Sequence, residues 1–66
     1  MTDNILRLPD VIRRSGLSRS SIYLRMHANE FPLPISLGAR AVGWLESEIE
    51  EWIVSCIQKS RRNGHD

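Results

Sequence analysis

The sequence predicts a small, mainly α-helical domain with a β-hairpin, and three observations support this. A helix stop at Gly16 is followed at once by a capped helix start at Ser18. Residues 33–44 alternate between apolar and other positions around a glycine, as a hairpin does, and residues 47–57 have a helical apolar repeat. The order helix, turn, helix, hairpin, helix is that of a winged helix-turn-helix, with three helices and two or three short antiparallel strands.

Length and composition limit what the chain can do. A chain of 66 residues forms one domain that buries only about 60% of its unfolded surface, so its core is shared by all elements and leaves no room for an enclosed active site. Cys56 is the only cysteine, which excludes an internal disulfide and is expected in the core. There is neither a leader pattern nor an apolar run of about 18 residues, so we expect a cytoplasmic protein with no membrane partner.

Charge is distributed unevenly along the chain. Residues 11–45 contain five arginines and a single acid, Glu30, whereas residues 46–57 contain four glutamates and no base. These residues are Arg13, Arg14, Arg19, Arg25 and Arg40, and Glu46, Glu48, Glu50 and Glu51. The split indicates one face suited to a polyanion and another turned away from it, or else two ordinarily solvated faces.

The first helix follows a short extended entry. Residues 1–4 are expected to fray, and residues 5–8 alternate enough for a very short strand. Pro9 suits the first helical position, and Val11 and Ile12 lie on the same side of the helix as Leu8. Gly16 can take the left-handed conformation that ends the helix.

The second helix is the candidate DNA-reading element. The Ser18 hydroxyl can accept an N–H from the first turn, and Leu17 and Ile22 have the spacing of a hydrophobic staple. At about 100° per residue, Ile22 and Met26 face the core. Four residues form an outward stripe about 100° to 200° away from Ile22: Ser20, Tyr23, Leu24 and His27. Asn29 suits the left-handed cap after this helix.

A hairpin and a third helix complete the domain. The hairpin places Arg40 at its tip, and Pro34 indicates an edge strand because it cannot donate to a ladder. Ser47 and Glu50 have the spacing of a capping box at the start of the third helix. Its apolar stripe is Ile49, Trp52, Ile53, Cys56 and Ile57. Residues 1–58 are therefore expected to form the domain, and residues 59–66 a flexible basic tail.

Five segments resemble one protein family. They are residues 6–11, 16–23, 30–32, 37–44 and 47–52, in the order LRLPDV, GLSRSSIY, EFP, LGARAVGW and SEIEEW. In this order they are similar to the AlpA family of phage and prophage regulators, which belongs to the MerR-like and excisionase-like winged helices. The resemblance covers residues 5–58. It implies a small DNA-binding transcriptional regulator of a prophage or integrated element, often acting on integrase expression or excision.

The resemblance and the residue chemistry together give a set of candidate contacts. Carried over by position, Arg19, Ser20, Ser21 and Tyr23 are recognition-helix contacts and Arg40 is the wing contact. An arginine beside the positive end of a helix dipole favours a bound anion, and the two serines either cap the helix or hold a phosphate. Tyr23 contacts DNA or packs on the wing. The full candidate set is Arg19, Ser20, Ser21, Tyr23, Arg40, Ser18, Leu24, Arg25 and His27.

Other chemistry is not predicted. His27 and Cys56 have no third ligand at a usable spacing, and there is no phosphate-binding glycine loop or carboxylate pair. We therefore expect no enzyme, metal, cofactor or small-molecule substrate. The expected partner is double-stranded DNA, bound by a homodimer or a cooperative array. The alternatives are a recombination directionality factor (excisionase) at attachment-site DNA and, in a different class, a protein-binding adaptor that uses Tyr23 and Leu24.

Overall fold

A computed structural model of the chain describes residues 3–62. It contains three helices and three short strands. In chain order these are β1 (Ile5–Leu6), α1 (Leu8–Ser15), α2 (Arg19–His27), β2 (Ile35–Ser36), β3 (Val42–Leu45) and α3 (Glu46–Arg62). The predicted order of elements is confirmed, and the architecture is that of a winged helix-turn-helix.

The sheet is antiparallel and has β3 at its centre. β1 pairs with one edge of β3, with Ile5 opposite Leu45, and β2 pairs with the other, with Ile35 opposite Gly43. The strand that precedes α1 therefore joins the hairpin to the helix-turn-helix. β2 lies at the edge of the sheet, as Pro34 predicts.

The core gathers one or two side chains from nearly every element. Val11, Ile22, Trp44 and Ile49 are fully buried, one each from α1, α2, β3 and α3. Burying a side chain of this size stabilises the fold by about 1.5–3 kcal/mol. The indole Nε1 of Trp44 donates to the Pro32 carbonyl over 2.9 Å, so its polar atom is also satisfied.

The turn between α1 and α2 is as short as the sequence predicts. Gly16 has φ 76° in the left-handed region, and its N–H donates to the Ile12 carbonyl over 2.9 Å. Two residues later Ser18 is the N-cap of α2. With Leu17 packed against the core between them, the relative direction of the two helices is fixed.

A left-handed residue also ends α2. Asn29 has φ 59°, and its N–H donates to the Met26 carbonyl while the next N–H, of Glu30, donates to the Arg25 carbonyl. This double pattern is a Schellman motif. The chain then turns so that Phe31 is buried, edge-on to the Trp52 ring at 4.8 Å between centroids.

The start of α3 differs from the prediction. Ser47 does not form a capping box with Glu50; its N–H and hydroxyl instead donate to the two carboxylate oxygens of Asp3, over 3.2 and 2.6 Å. The Glu46 N–H donates to the Asn4 carbonyl over 2.8 Å. Because β1 brings the N-terminal segment beside this helix end, the Asp3 carboxylate accepts the Ser47 N–H, as the Glu50 side chain would in a capping box. Residues 3 and 4 are thus held in place rather than frayed, and residues 1 and 2 lie outside the described range.

The end of α3 also differs. The helix runs to Arg62, so residues 59–62 of the expected tail are helical, while residues 63–66 lie outside the described range. Cys56 is exposed and Ile57 is 44% exposed, although both continue the apolar repeat. Among the described residues of α3, Ile53 is the last that packs against the core. Lysine and arginine near a helix C-terminus favour its continuation.

Within residues 3–62, no helix combines the length and apolar character needed to cross a membrane.

Gly43 allows the strands to approach each other. A Cβ at this position would overlap the Ile5 Cγ2 atom and come within 3.1 Å of the Leu6 carbonyl oxygen. We predict that Gly43→Ala destabilises the protein by about 1–3 kcal/mol, the usual range for overpacking. Gly38→Ala is the matched control, because its Cβ would meet nothing within 4 Å, and it should change stability by less than about 0.5 kcal/mol. Urea titration measures both, and equal effects would contradict the account.

The contact between Asp3 and Ser47 predicts a pH dependence. The hydrogen bonds from Ser47 lower the pKa of Asp3 from its ordinary value of 3.8. Because the folded-state pKa is the lower one, the contribution to stability is fully present above pH 3.8 and is lost as the pH falls through the folded-state pKa. Asp3→Ala should therefore lower the melting temperature at pH 7, and the difference from the parent should shrink on acidification below about pH 3.8. A difference that does not change with pH would show that this carboxylate is not the capping group.

Candidate nucleic-acid interface

The N-terminus of α2 presents hydroxyl and amide donors to solvent. The Ser18 Oγ accepts the Ser21 N–H over 3.2 Å and donates to the Ser21 hydroxyl over the same distance. Helix geometry leaves the N–H groups of Arg19 and Ser20 without an intrahelical acceptor. Ser18 and Ser20 are exposed and Ser21 is half-buried. The cap thus uses Ser18 and Ser21, and the N–H groups of Arg19 and Ser20 remain as donors that can bind an anion.

Arg19 and Tyr23 lie against each other along α2. The Arg19 guanidinium lies 5.3 Å from the centroid of the Tyr23 ring, within the range of a cation–π interaction. Tyr23 is half-buried and Arg19 is exposed. The ring therefore supports the arginine beside the positive helix end, where its charge alone is unfavourable.

The outward stripe lies where the helical angles predict it. Ser20 and His27 are exposed, and Leu24 is 71% exposed, whereas Ile22 is fully buried and Met26 packs against the core. One face of α2 therefore holds the helix to the domain and the other is available for contact.

Arg25 lies at the edge of that stripe. It is half-buried and lines a groove together with Glu30 and Trp52, on the side of α2 that faces α3. Arg25 also lines a smaller depression with Ser21 and Leu24, so it lies between the groove and the other α2 candidates.

Arg40 lies in the loop between β2 and β3. The Leu37 N–H donates to the Ala41 carbonyl over 2.8 Å, and the Ser36 hydroxyl donates to the Gly38 carbonyl over 3.2 Å. These bonds close the loop, and Arg40 is exposed beyond them. A single cation is thus presented at the tip of the wing.

The two arginines of α1 form ion pairs, so they are not free cations as the sequence count suggests. Arg13 pairs with Asp10, and the Arg14 guanidinium lies 2.8 Å from a Glu46 carboxylate oxygen and 3.8 Å from one of Glu50. The basic and acidic segments of the sequence therefore meet between α1 and α3 and are not fully separated. This pairing was missed, because a linear charge count does not show which side chains meet.

The cations left for a polyanion are fewer than the sequence count suggests. Among residues 3–62, no ion pair involves Arg19, Arg25 or Arg40. Nor do three histidine, cysteine or acidic side chains of that part of the chain come together as a metal site would require. The arrangement supplies hydroxyl, amide and guanidinium donors, all of which suit phosphate oxygens and base edges.

Comparisons with known proteins show which sequences the chain is similar to. A family model described as the prophage CP4-57 regulatory protein (AlpA) matches residues 4–57. The chain is 42% identical over 64 residues to the uncharacterized protein ORF88 of Enterobacteria phage P4, covering 97% of this chain and 72% of that protein. It is 42% identical over 55 residues to the DNA-binding transcriptional activator AlpA of Escherichia coli (strain K12), covering 74% of this chain and 79% of that protein. The matched range includes every strand and helix except the last residues of α3.

The cap of α2 provides a test of how this element is held. Ser18→Ala removes the acceptor of the Ser21 N–H and should destabilise the protein by about 1 kcal/mol. Ser20→Ala removes an exposed hydroxyl from the same turn without touching the cap, so it should change stability by less than about 0.5 kcal/mol. Thermal unfolding of the two variants measures the difference. A larger loss in Ser20→Ala would mean that the cap is assigned to the wrong serine.

Proposed function

The chain belongs to the AlpA family of prophage regulatory proteins, and from that premise we propose that it is a DNA-binding transcriptional regulator of a prophage or integrated element. The observation that carries the proposal is the capped start of α2. There Arg19 and Ser20 present donors to solvent next to an exposed helix face, while Ser18 caps the helix. A surface of this kind binds phosphate and reads bases.

In the proposed complex α2 enters the major groove. The groove is about 12 Å wide, which admits one α-helix with its side chains. The N-terminal turn of α2 lies against the phosphate backbone, so that Arg19, Ser20 and Ser21 bind phosphate oxygens or the first base edges. Tyr23 supports the Arg19 guanidinium with its ring, and in the complex it also contacts the phosphate backbone of the DNA. His27 and Ser18 lie at the two ends of this contact surface.

The wing makes the second contact. Arg40 lies at the tip of a loop closed by backbone hydrogen bonds, and that loop is anchored through Trp44 to the core. A cation held in this way can reach the phosphate backbone or the minor groove beside the recognition helix. Arg25, on the side of α2 that faces α3, is placed at the margin of the interface.

The exposure of Leu24 is compatible with a further DNA contact and also with a competing function, protein binding. An exposed leucine in the middle of the outward stripe can meet a thymine methyl group. The same 71% exposure favours the second candidate, a winged-helix adaptor that binds a protein partner through Leu24 and Tyr23. The two functions differ in whether the arginines matter for binding.

Loss of the arginines tests the DNA function. We expect Arg19→Ala and Arg40→Ala each to weaken DNA binding by about tenfold or more, and the double variant to abolish it, with the fold unchanged. Arg13→Ala is the control, because Arg13 pairs with Asp10 and lies on α1. Fluorescence anisotropy with labelled duplex measures all four proteins. Unchanged DNA affinity in the double variant would favour the adaptor.

Salt provides a second, independent measurement on the same complex. If about four phosphates are neutralised, log affinity should fall with log salt at a slope of about −3.6. A flat salt response would contradict the electrostatic part of the proposal.

The biological target is the finer part of the proposal. We propose that the protein acts on integrase expression or on excision, the two activities that its family resemblance implies. Binding to DNA upstream of a neighbouring integrase gene, in excess of scrambled duplex, would favour the transcriptional role. Preferential binding to the attachment site would favour the recombination directionality factor. No preference for either would count against a target in the integration system.

One copy is too small for high specificity. A single module of this size buries about 600–1,000 Å² of protein surface on DNA, at the low end of specific complexes. We therefore propose that two or more copies bind neighbouring sites, as a homodimer or a cooperative array.

A further inference from the structure

An open groove lies between the segment after α2 and the second half of α3. Its volume is about 840 Å³. The paired rings of Phe31 and Trp52 line it, and Leu33, which is 62% exposed, borders it. An exposed leucine beside two aromatic rings is the composition of a contact surface.

The side of α3 that borders this groove has an ordered set of charges. Helical geometry places five of its residues within a sector of about 80°. In chain order they are Glu48, Glu51, Ser55, Lys59 and Arg62. Four of them line the groove and Arg62 continues the same side beyond it. The order is two acids, a small residue and two bases.

The spacing of these residues is symmetrical about Ser55. Glu51 and Lys59 are each four positions from it, and Glu48 and Arg62 are each seven positions from it. The positions are therefore mirrored, and the charges are reversed. A surface with this property is complementary to itself when two copies of the helix run antiparallel.

The charged side chains are available for such a contact. Glu48, Glu51, Lys59 and Arg62 are exposed, and within residues 3–62 none of them takes part in an ion pair. This distinguishes them from Glu46 and Glu50 on the other side of α3, which face Arg14. Ser55 is half-buried and small, so two helices can approach closely at that point.

We propose that α3 pairs with α3 of a second copy of this chain in an antiparallel homodimer whose two-fold axis passes beside Ser55. Glu48 and Glu51 of each copy lie opposite Arg62 and Lys59 of the other. The two-fold symmetry makes four intermolecular ion pairs, flanked by Leu33 of each copy. The paired stretch, residues 48–62, is about 21 Å long.

The dimer does not depend on DNA binding. Only its use, which is to hold two copies of α2 on neighbouring sites, rests on the function proposed above. Self-association can therefore be measured on the protein alone, and its failure would leave the DNA proposal untouched.

Charge reversal tests the pairing. We expect sedimentation equilibrium of the full chain, between about 10 μM and 1 mM, to show a monomer–dimer equilibrium that weakens with salt. The variant Lys59→Glu, Arg62→Glu should raise the dimer Kd by about tenfold or more, and so should Glu48→Lys, Glu51→Lys. Mixing the two variants should restore association as a heterodimer, because each then carries one sign of charge. Arg61→Glu is the matched control, since it lies about 100° from Arg62 around the helix, and it should leave the dimer intact.

The mixture also separates charge pairing from misfolding, because a variant that has lost its fold cannot be rescued by its partner. A monomer at all concentrations would overturn the proposal and leave the groove to a different protein. A dimer unaffected by either reversal would overturn it as well.

Cross-linking tests the position of the axis. In a Cys56→Ser background, Ser55→Cys places the new thiol beside its symmetry mate, whereas Val54→Cys places it about 100° away. We expect air oxidation to give a covalent dimer of the first variant and little of the second. Equal cross-linking of the two, or faster cross-linking of Val54→Cys, would overturn the proposed axis.

Discussion

The burial of Trp44 is the constraint on which the other features depend. Its strand, β3, is the centre of the sheet and pairs with both β1 and β2, and its ring lies in the core with Val11, Ile22 and Ile49. Removing a buried aromatic costs about 3–5 kcal/mol, a large part of the 5–15 kcal/mol that stabilises a typical domain. Because Trp44 belongs to the strand that pairs with β2 and shares one core with Ile22, the wing and α2 are parts of the same packed unit.

The helices and their ends could largely be predicted because their determinants are local. Gly16, which has no Cβ, and Asn29 adopt the left-handed conformation that these residue types tolerate, and Ser18 caps the helix that it precedes. The start of α3 could not be predicted in the same way. Asp3 lies far from Ser47 in sequence, and only the pairing of β1 with β3 brings the carboxylate to that helix end.

The apolar repeat of α3 shows a second limit. Periodicity indicates which side of a helix is apolar, but it does not indicate where the neighbouring elements stop. Ile49 is fully buried and Ile57 is 44% exposed, although both lie on the same stripe. In a chain of 66 residues the core is short, so the apolar stripe of the longest helix extends past it.

The sequence predicts which face of α2 is exposed, but only part of the distribution of charge around the candidate interface. The angles that separate Ile22 from Leu24 follow from helix geometry, and the structure agrees with them. The pairing of Arg14 with Glu46 depends on how α1 and α3 meet, which no local pattern shows. The most direct test of the interface follows the backbone amides of the protein by two-dimensional NMR while duplex DNA is added. We predict that the largest shifts fall in residues 18–27 and 38–41, whereas shifts confined to α3, with none in α2, would contradict DNA binding by this surface.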